Sequence, residues 1–316
     1  MSSTPKAGPE LPATLGGGGW LPRAATHAAD IGPIWAPYGV RSCFSPLRAV
    51  LLAEPGEEMD YREDPNDWLM YERPDRARIH AQAYALAAAF EANGVRAHLM
   101  RPSRTPTPNH VFCCDLFFMT PEGAVLARMA AKQRAGEERG VAELLARVGV
   151  PILMTPRGGA TFEGADATWL DAKTVLVGVG KRTNVEAVEQ LRPLIEAMGA
   201  RVVTAEIGGR VQHLLGVINP VDEGVCCVLT RHVTPSLREA LKGWRLVEIE
   251  SDEETEDRRG MNFVTLGPRK ILMPAGCPRT RERYEREGIT CVEVDVSEYV
   301  KAAGAIGCLT GVLSRA

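Results

Sequence analysis

Cys308 lies near the C-terminus in GAIGCLTGVLSRA, after Gly304 and Gly307 and just before a short apolar run. A single cysteine in apolar surroundings is more often an inert core residue than a nucleophile. The position of Cys308 is therefore compatible with an inert core residue and with a nucleophile. The polar residues that lie near Cys308 in the fold determine which of the two roles applies.

Four hairpin-like segments precede Cys308, and each begins beside a polar residue. They read DLFFMTPEGAVLARM, ADATWLDAKTVLVGVG, LLGVINPVDEGVCCVLT and MNFVTLGPRKILMPAG. The polar residues are Asp115, Asp166, His213 and Asn262, and the steps from each to the next and on to Cys308 are 51, 47, 49 and 46 residues. Such a regular step indicates a repeated structural unit. If the units surround an axis, Asp115, Asp166, His213 and Cys308 meet in one central pocket.

A cysteine, a histidine and carboxylates in one pocket would combine a nucleophile, an acid/base group and a negative lining. Carboxylates raise the pKa of a neighbouring thiol and repel anions, so this set suits a cationic substrate. A guanidinium or amidinium fits, because its N–H fork matches carboxylates and its central carbon is electrophilic. Attack by Cys308 on that carbon, with His213 protonating the departing nitrogen, would leave an amidino-thioether.

The elements that must position these residues form a recurring pattern. Each hairpin is followed by a helix-like segment and usually by another strand, so the predicted unit is ββαβ. Glu122-Gly123 and Glu223-Gly224 suit tight turns that need a positive φ. The last strand, CLTGVLSR, has no hairpin partner of its own, and PLRAVLLA near the N-terminus can supply it and close the ring. The sequence predicts an α/β fold, a five-bladed ββαβ pseudo-symmetric propeller.

The chain divides at about residue 40. Residues 1–40 are rich in Gly, Pro and Ala and are predicted to form an irregular N-terminal arm, whereas 41–316 are predicted to form a single catalytic domain. Within that domain, helices are predicted over 77–93 and 184–198. The acidic run at 251–257 is predicted to be a solvated loop.

Composition excludes several classes of protein. The 316 residues are 45% hydrophobic and 24% charged, with a net charge of −3, so the basic field of a nucleic-acid-binding protein is absent. The sequence shows neither a signal peptide nor an apolar run long enough to span a membrane, and a cytoplasmic location is expected. Eight cysteines without C-x-x-C spacing predict reduced thiols and no metal site.

From about residue 42 to the C-terminus, these segments resemble the guanidino-modifying enzymes. That superfamily includes arginine deiminase, glycine amidinotransferase and dimethylarginine dimethylaminohydrolase, and its pentein fold is a ring of five ββαβ units. The resemblance implies catalytic roles for three residues. QHLL supplies His213 as general acid/base, GCLT supplies Cys308 as nucleophile, and FEGAD, similar to the family's E-G-G-D, supplies Glu163.

The resemblance also implies a set of substrate-binding residues. Asp115, in CDLFFMTPEGAVLARM, matches the guanidinium-binding aspartate, and Asp166 matches the second acidic position of E-G-G-D. Arg128 matches an arginine that holds the substrate carboxylate. VGKRTN is similar to the S-x-R-T-N run of the dimethylaminohydrolase branch, so Arg182 is expected to contact the same carboxylate.

Three departures from the family's patterns matter, and the one at Leu215 points to the dimethylarginine dimethylaminohydrolase branch. Cys114 precedes Asp115 where deiminases have arginine, and Leu215 replaces the aspartate of H-x-D. An apolar Leu215 removes an acceptor for one guanidinium nitrogen, which disfavours free arginine and suits an N-substituted guanidine such as a methylated arginine. The third departure, Ala165 for the second glycine of E-G-G-D, exchanges one small residue for another.

The expected activity is hydrolysis of a C–N bond in a guanidino amino acid, with no cofactor and no metal. The alternatives are an amidinotransferase, which passes the amidino group to an amine, and a non-catalytic binding protein of the same fold. A metal-dependent ureohydrolase would need Asp/His clusters such as D-x-H-x-D, which the sequence lacks. A small-molecule guanidino substrate is the expected partner, nucleic acid and membranes are not, and a homo-oligomer stays open.

Overall fold

The structure is a computed structural model that describes residues 11–104, 107–209 and 211–316. The described residues contain fifteen strands. In chain order they are β1 Leu47–Ala53, β2 Arg96–Met100, β3 Phe117–Thr120, β4 Gly123–Leu126, β5 Ile152–Met154, β6 Ala167–Asp171, β7 Thr174–Val179, β8 Arg201–Glu206, β9 Ile218–Asp222, β10 Val225–Leu229, β11 Arg245–Ile249, β12 Val264–Gly267, β13 Lys270–Pro274, β14 Thr290–Val294 and β15 Gly311–Arg315.

Ten α-helices, several of a single turn, connect or precede these strands. They are α1 His27–Asp30, α2 Arg76–Ala92, α3 Cys113–Leu116, α4 Glu137–Arg147, α5 Val185–Ala197, α6 Pro235–Ala240, α7 Glu253–Glu256, α8 Pro278–Arg286, α9 Ser297–Lys301 and α10 Ile306–Leu309. The predicted helices over 77–93 and 184–198 correspond to α2 and α5. Asp75 and Asn184 cap these two helices by accepting backbone N–H groups of the first turn, which explains where each begins.

The strands form five three-stranded sheets of one plan. In four of them an antiparallel hairpin is followed by a helix and by a third strand that runs parallel to the middle strand: β3-β4-β5, β6-β7-β8, β9-β10-β11 and β12-β13-β14. Each parallel pair needs a crossover, and α4, α5, α6 and α8 provide it. The predicted α/β fold of five ββαβ units, the pentein fold, is confirmed.

The fifth sheet joins the two ends of the domain. β15 pairs antiparallel with β1, with Val50 opposite Val312 and Leu51 opposite Gly311, and β2 then pairs parallel with β1. This confirms that PLRAVLLA supplies the partner of the last strand. The pairing satisfies backbone groups that two free strand edges would otherwise expose.

The predicted tight turns have the expected backbone. Gly123 has φ of 141° and Gly224 has φ of 65°, both in the region that favours glycine. In the β3–β4 hairpin this turn places Thr120 directly opposite Gly123. The turn residues therefore help to set the register that places Asp115 just ahead of the first strand.

The N-terminal arm has little regular structure in residues 11–40, and its first ten residues lie outside the described part of the chain. Tyr38 and Val40 pack into the core of the β3–β5 and β6–β8 sheets. The Val40 N–H donates to the Thr120 carbonyl, which ties the end of the arm to a hairpin. The division into an arm and one catalytic domain stays a prediction.

The acidic run at 251–257 differs from its prediction. Instead of a solvated loop, it contains α7, with Asp252 as N-cap in a capping box with Thr255. Glu254 is buried, and its carboxylate accepts the backbone N–H and the hydroxyl of Thr280. A buried carboxylate needs such donors, and only the tertiary fold supplies them. In the described part of the chain, no helix is both long and apolar enough to cross a membrane.

Candidate active site

The five regularly spaced residues occupy equivalent places in the five units. Asp115 lies in α3 just before β3, Asp166 ends a short 3-10 helix before β6, and His213 caps a 3-10 helix before β9. Asn262 lies two residues before β12, and Cys308 lies in α10 before β15. Each residue thus enters from the turn that leads into the first strand of its unit.

His213 forms the central ion pair of the site. Its Nε2 lies 2.6 Å from Oε2 of Glu163, and its Nδ1 lies 3.7 Å from Oδ1 of Asp115. All three side chains are buried. Burial alone would lower the pKa of His213, but Asp115, Asp166 and Glu163 outweigh it and raise that pKa to about 9. His213 is therefore protonated at neutral pH.

The carboxylate of Glu163 is ionised for the complementary reason. Burial would raise the pKa of Glu163, but the hydrogen bond and charge of His213, together with Arg134 and Arg182, hold it well below its usual range. Arg182 Nη1 lies 3.4 Å from Oε1 of Glu163. The result is an imidazolium held against a carboxylate, an arrangement that can donate and recover a proton.

Arg134, which sequence reasoning missed, lies at the centre of a buried charge network. Its Nη1 is 2.6 Å from Oδ2 of Asp115, its Nη2 is 2.8 Å from Oε2 of Glu137, and its Nη1 is 3.8 Å from Oε2 of Glu163. Only one oxygen of Asp115 takes part. The other, Oδ1, is buried and has no hydrogen-bond partner among the described residues.

Cys308 contacts Asn262 through two hydrogen bonds. Nδ2 of Asn262 donates to the Cys308 sulfur at 3.0 Å, and the Cys308 N–H donates to Oδ1 of Asn262 at 3.1 Å. Burial and the charge of Asp115 raise the pKa of the Cys308 thiol to about 11, against the opposing effects of Asn262 and Arg259. Without a substrate the thiol is protonated at neutral pH. Asn262 is one of the polar residues that recur at the step of 46 to 51 residues, but the sequence does not show its contact with the sulfur.

Cys308 lies where two small cavities meet. The His213 cavity, of about 100 Å³, is lined by His213, Leu215, Asn262 and Cys308 among others. The Asp115 cavity, of about 20 Å³, is lined by Asp115, Cys308, Arg134 and Arg182 among others. Gln212 and Ala303 line both. Cys308 therefore borders both the cavity that His213 lines and the cavity that Asp115, Arg134 and Arg182 line.

Two predicted substrate-binding residues are not among the described residues that line these cavities. Arg128 is exposed, and its Nη1 donates to the Ala160 carbonyl at 2.7 Å. Asp166 is fully buried, and its Oδ1 accepts the backbone N–H of Leu214 at 3.0 Å. Burial raises the pKa of Asp166 to about 7. The structure thus places Asp166 next to the backbone that follows His213 and Arg128 on the surface, whereas Asp115 and Arg182 line the Asp115 cavity with Cys308.

The far side of the His213 cavity carries further groups that the sequence did not reveal. The guanidinium of Arg259 donates to the Tyr71 hydroxyl at 2.7 Å and lies over the Tyr71 ring, with its central carbon 5.4 Å from the ring centroid. Nε of Arg259 is buried and has no partner among the described residues. His232 lies 3.1 Å from Glu256 of α7, and both line the same cavity. No spacing pattern distinguishes these residues from surface ones.

Two glycines allow the turns to approach each other. A Cβ on Gly164 would lie 2.1 Å from the Phe117 carbonyl oxygen, which is a severe clash with backbone. A Cβ on Gly307 would lie 3.0 Å from Oδ1 of Asn262 and 3.1 Å from Leu215. Gly164 therefore permits the contact between two units, and Gly307 permits the Asn262–Cys308 pair.

Asp115, Glu163 and His213 each offer a ligand atom within 4.8 Å of the others, close enough in principle for one metal ion. The chemistry of the surroundings opposes this. Arg134 already lies against Asp115 and Glu163, and a divalent cation would be placed beside a buried guanidinium. The donor set is better suited to a single positive charge.

Comparison with known proteins assigns the chain. A sequence profile of the family described as N,N dimethylarginine dimethylhydrolase, eukaryotic, matches residues 71–313, more than three quarters of the chain. The chain belongs to this family.

Individual relatives agree with the assignment. The dimethylarginine dimethylaminohydrolase of Streptomyces coelicolor is 30% identical over 243 residues, which cover 76% of this chain and 87% of that protein. The solved structure of the Pseudomonas aeruginosa enzyme, a Cys-to-Ser mutant complexed with citrulline, has a TM-score of 0.70 and 23% identity and covers 86% of this chain and all of that one. The chain is thus a member of the guanidino-modifying enzymes.

The fold is shared more widely within the superfamily. The amidinotransferase SxtG from Microseira wollei has a TM-score of 0.74 at 16% identity and covers 89% of this chain and 98% of that one. At this identity the likeness concerns the fold alone. Hydrolases and transferases therefore share the arrangement of five units, and the fold does not distinguish the two reactions.

Proposed function

We propose that the protein hydrolyses a C–N bond of an N-substituted guanidino compound, such as a methylated arginine, through a covalent intermediate on Cys308. The observation that carries this proposal is Oδ1 of Asp115, a buried acceptor beside Cys308 that accepts no hydrogen bond from the described residues and lies 3.7 Å from Nδ1 of His213. A buried carboxylate oxygen without a donor is costly, and a guanidinium N–H would satisfy it.

The positive charge of the substrate favours the thiolate form of Cys308, which is the reactive nucleophile. In the free protein, burial and Asp115 keep Cys308 as a thiol, with a pKa of about 11. A guanidinium bound against Asp115 offsets that negative charge and brings a cation to the sulfur, and both effects favour the thiolate, whose proton is released to solvent because His213 is already protonated. The donor of Asn262 and the charge of Arg259 act in the same direction. Activation of Cys308 is therefore coupled to binding of a cation.

The reaction then follows from the positions of sulfur and imidazole. The Cys308 thiolate forms a bond to the guanidinium carbon, and His213, already protonated, gives its proton to the substituted nitrogen as the C–N bond breaks and the amine leaves. Water next attacks the amidino carbon, and the neutral imidazole takes its proton. The C–S bond breaks as the remaining hydroxyl proton of the adduct passes to the departing sulfur, the ureido product leaves, and the Cys308 thiol is restored. Glu163 holds the ring and stabilises the imidazolium at both steps.

The remaining residues position the substrate. Arg182, which lines the Asp115 cavity beside Cys308, is proposed to bind the substrate carboxylate. Asp166 is proposed as a positioning residue, because it fixes the backbone next to His213. Leu215 lines the His213 cavity with an apolar side chain that a substituted guanidine tolerates and that gives free arginine no acceptor.

The test is incubation with arginine, mono- and dimethylated arginines and other guanidino compounds in heavy-oxygen water, followed by mass spectrometry. Hydrolysis predicts a released alkylamine and one heavy oxygen in the ureido product. An amine acceptor added in a parallel reaction would reveal amidino transfer, which yields no heavy oxygen. Absence of turnover for every guanidino compound, with no adduct on the Cys308 peptide, would contradict the proposal.

A further inference from the structure

A third cavity, of about 140 Å³, lies between the first strands of all five sheets, and we call it the axial cavity. Each unit contributes apolar side chains, among them Phe118 from β3, Trp169 from β6, Ile218 from β9, Val264 from β12 and Val312 from β15. Leu215 lines both the axial cavity and the His213 cavity. The axial cavity is thus next to the candidate active site, but Cys308 and His213 are not among its described lining residues.

One charged residue lines this apolar space. Nη1 of Arg315, near the end of β15, donates to the Ser45 carbonyl at 2.7 Å. Within the described ranges, no carboxylate oxygen lies within 4.0 Å of the Arg315 guanidinium nitrogens. Burial lowers the pKa of Arg315 to about 10, a sign that its charge is poorly compensated. Cys43 lines the same cavity, but burial raises the pKa of its thiol to about 11, so it provides no negative charge at neutral pH.

Three other polar side chains of the axial cavity already make hydrogen bonds within the protein. The hydroxyls of Thr265 and Thr310 donate to the Pro220 and Ile306 carbonyls. Nδ2 of Asn219 donates to the Leu215 and Met261 carbonyls. A guanidinium has five N–H donors, and Arg315 uses one of them in a described side-chain hydrogen bond. Arg315 is therefore the cavity's source of unused charged donors.

We propose that the axial cavity binds a small apolar monocarboxylate, with the apolar part among the strand side chains and the carboxylate on Arg315. The size fits, since a cavity of about 150 Å³ is known to hold one benzene ring. The charge fits as well, because a carboxylate accepts two parallel N–H bonds from a guanidinium and compensates a cation that has no carboxylate partner among the described residues. A neutral or cationic molecule of the same shape lacks this second interaction.

Benzoate is the probe for the wild-type chain, measured by isothermal titration calorimetry and by the shift in thermal unfolding. Benzamide and benzylamine are matched probes with neutral and positive polar groups. Arg315→Gln removes the charge, and Arg315→Lys keeps it in case loss of the cation disturbs the fold. Arg238→Gln, an exposed arginine on α6, is the control substitution. Arg259→Gln tests whether benzoate instead enters the His213 cavity.

Benzoate is expected to bind and to stabilise wild type, Arg238→Gln and Arg259→Gln alike, and more tightly than benzamide or benzylamine. Arg315→Gln should weaken binding by about 10- to 100-fold, and Arg315→Lys, which keeps the charge but not the two parallel N–H donors, should weaken it less than Arg315→Gln. Absence of binding at millimolar benzoate would overturn the proposal. The proposal would also be overturned if Arg315→Gln bound benzoate as tightly as wild type. The same holds if, among the variants, only Arg259→Gln lost benzoate binding. Binding requires no turnover, so this result is independent of the proposed hydrolysis.

Discussion

The side-chain amide of Asn262 holds Cys308 at two points, donating to the sulfur at 3.0 Å and accepting the Cys308 backbone N–H at 3.1 Å. The first contact favours the thiolate, and the second fixes the turn that carries it. Asn262 does no acid/base chemistry itself. Its role is to position the sulfur and to oppose the effect of burial on the pKa of the thiol.

Replacement of Asn262 by aspartate should therefore impair the thiol. A carboxylate beside the sulfur removes a donor and adds a negative charge, so the pKa of Cys308 rises. We expect slower alkylation by iodoacetamide at each pH below 11 and a kcat lower by about 10- to 100-fold, the effect of losing a hydrogen bond to a charged group. Asn66→Asp, at an exposed position, is the control. An unchanged alkylation profile would show that the contact has no influence on the thiol.

Cys308→Ser should abolish turnover of any guanidino substrate and leave the unfolding midpoint close to that of wild type. A hydroxyl fills the volume of the thiol but ionises far less readily at neutral pH. Cys291→Ser, at a partly exposed thiol outside the three cavities, is the matched control and should keep full activity. The measurements are steady-state kinetics and thermal unfolding. Measurable turnover by the serine variant would exclude the covalent mechanism.

Leu215→Asp should improve the use of free arginine relative to N-substituted guanidines. The new carboxylate supplies an acceptor in the His213 cavity, worth about 1 to 3 kcal/mol for a buried donor, so the ratio of kcat/KM values should move roughly tenfold or more toward arginine. Leu215→Asn, of similar size but without charge, separates charge from shape. An unchanged ratio in both variants would place the specificity elsewhere.

The ion pair of His213 and Glu163 predicts a pH dependence of stability. The pKa of His213 is raised from 6.5 to about 9 and that of Glu163 is lowered from 4.5, so the pair stabilises the folded state fully between about pH 4.5 and 6.5, and the stabilisation is lost as pH rises through about 9. In urea titrations, the difference in unfolding free energy between wild type and Glu163→Gln should therefore decrease as the pH rises from 6.5 to about 9. Glu189→Gln, exposed on α5, should show a constant gap. A constant gap for Glu163→Gln would mean that Glu163 does not raise the pKa of His213.

Arg134 and Arg128, six residues apart, should respond differently to the same substitution. Arg134→Gln leaves Asp115 and Glu137 buried without their cation and should cost about 3 to 5 kcal/mol in unfolding free energy. Arg128→Gln removes one hydrogen bond at the surface and should cost about 1 kcal/mol. Urea unfolding of the two variants checks the difference. Equal losses would contradict the charge network around Arg134.

The repeat in the sequence was sufficient to predict the fold and part of the site. The hairpins follow from local patterns of apolar residues and turn glycines. The step of 46 to 51 residues between equivalent positions indicates repeated units, and when such units surround an axis those positions meet around it. Asp115, His213 and Cys308 could be identified in this way because each lies just before the first strand of a unit. Asn262 occupies the same place, and its contact with Cys308 follows from the same geometry.

Only the tertiary structure shows which charged residues are buried, apart from those that the repeat identifies. Arg128 matched a family motif and lies on the surface, whereas Arg134 lies within a charge-rich run and is buried between Asp115, Glu137 and Glu163. The local sequence of an arginine does not show whether carboxylates from other units will surround it. That depends on side chains up to 29 residues away, and a guanidinium can be buried only where the completed fold brings such partners to it.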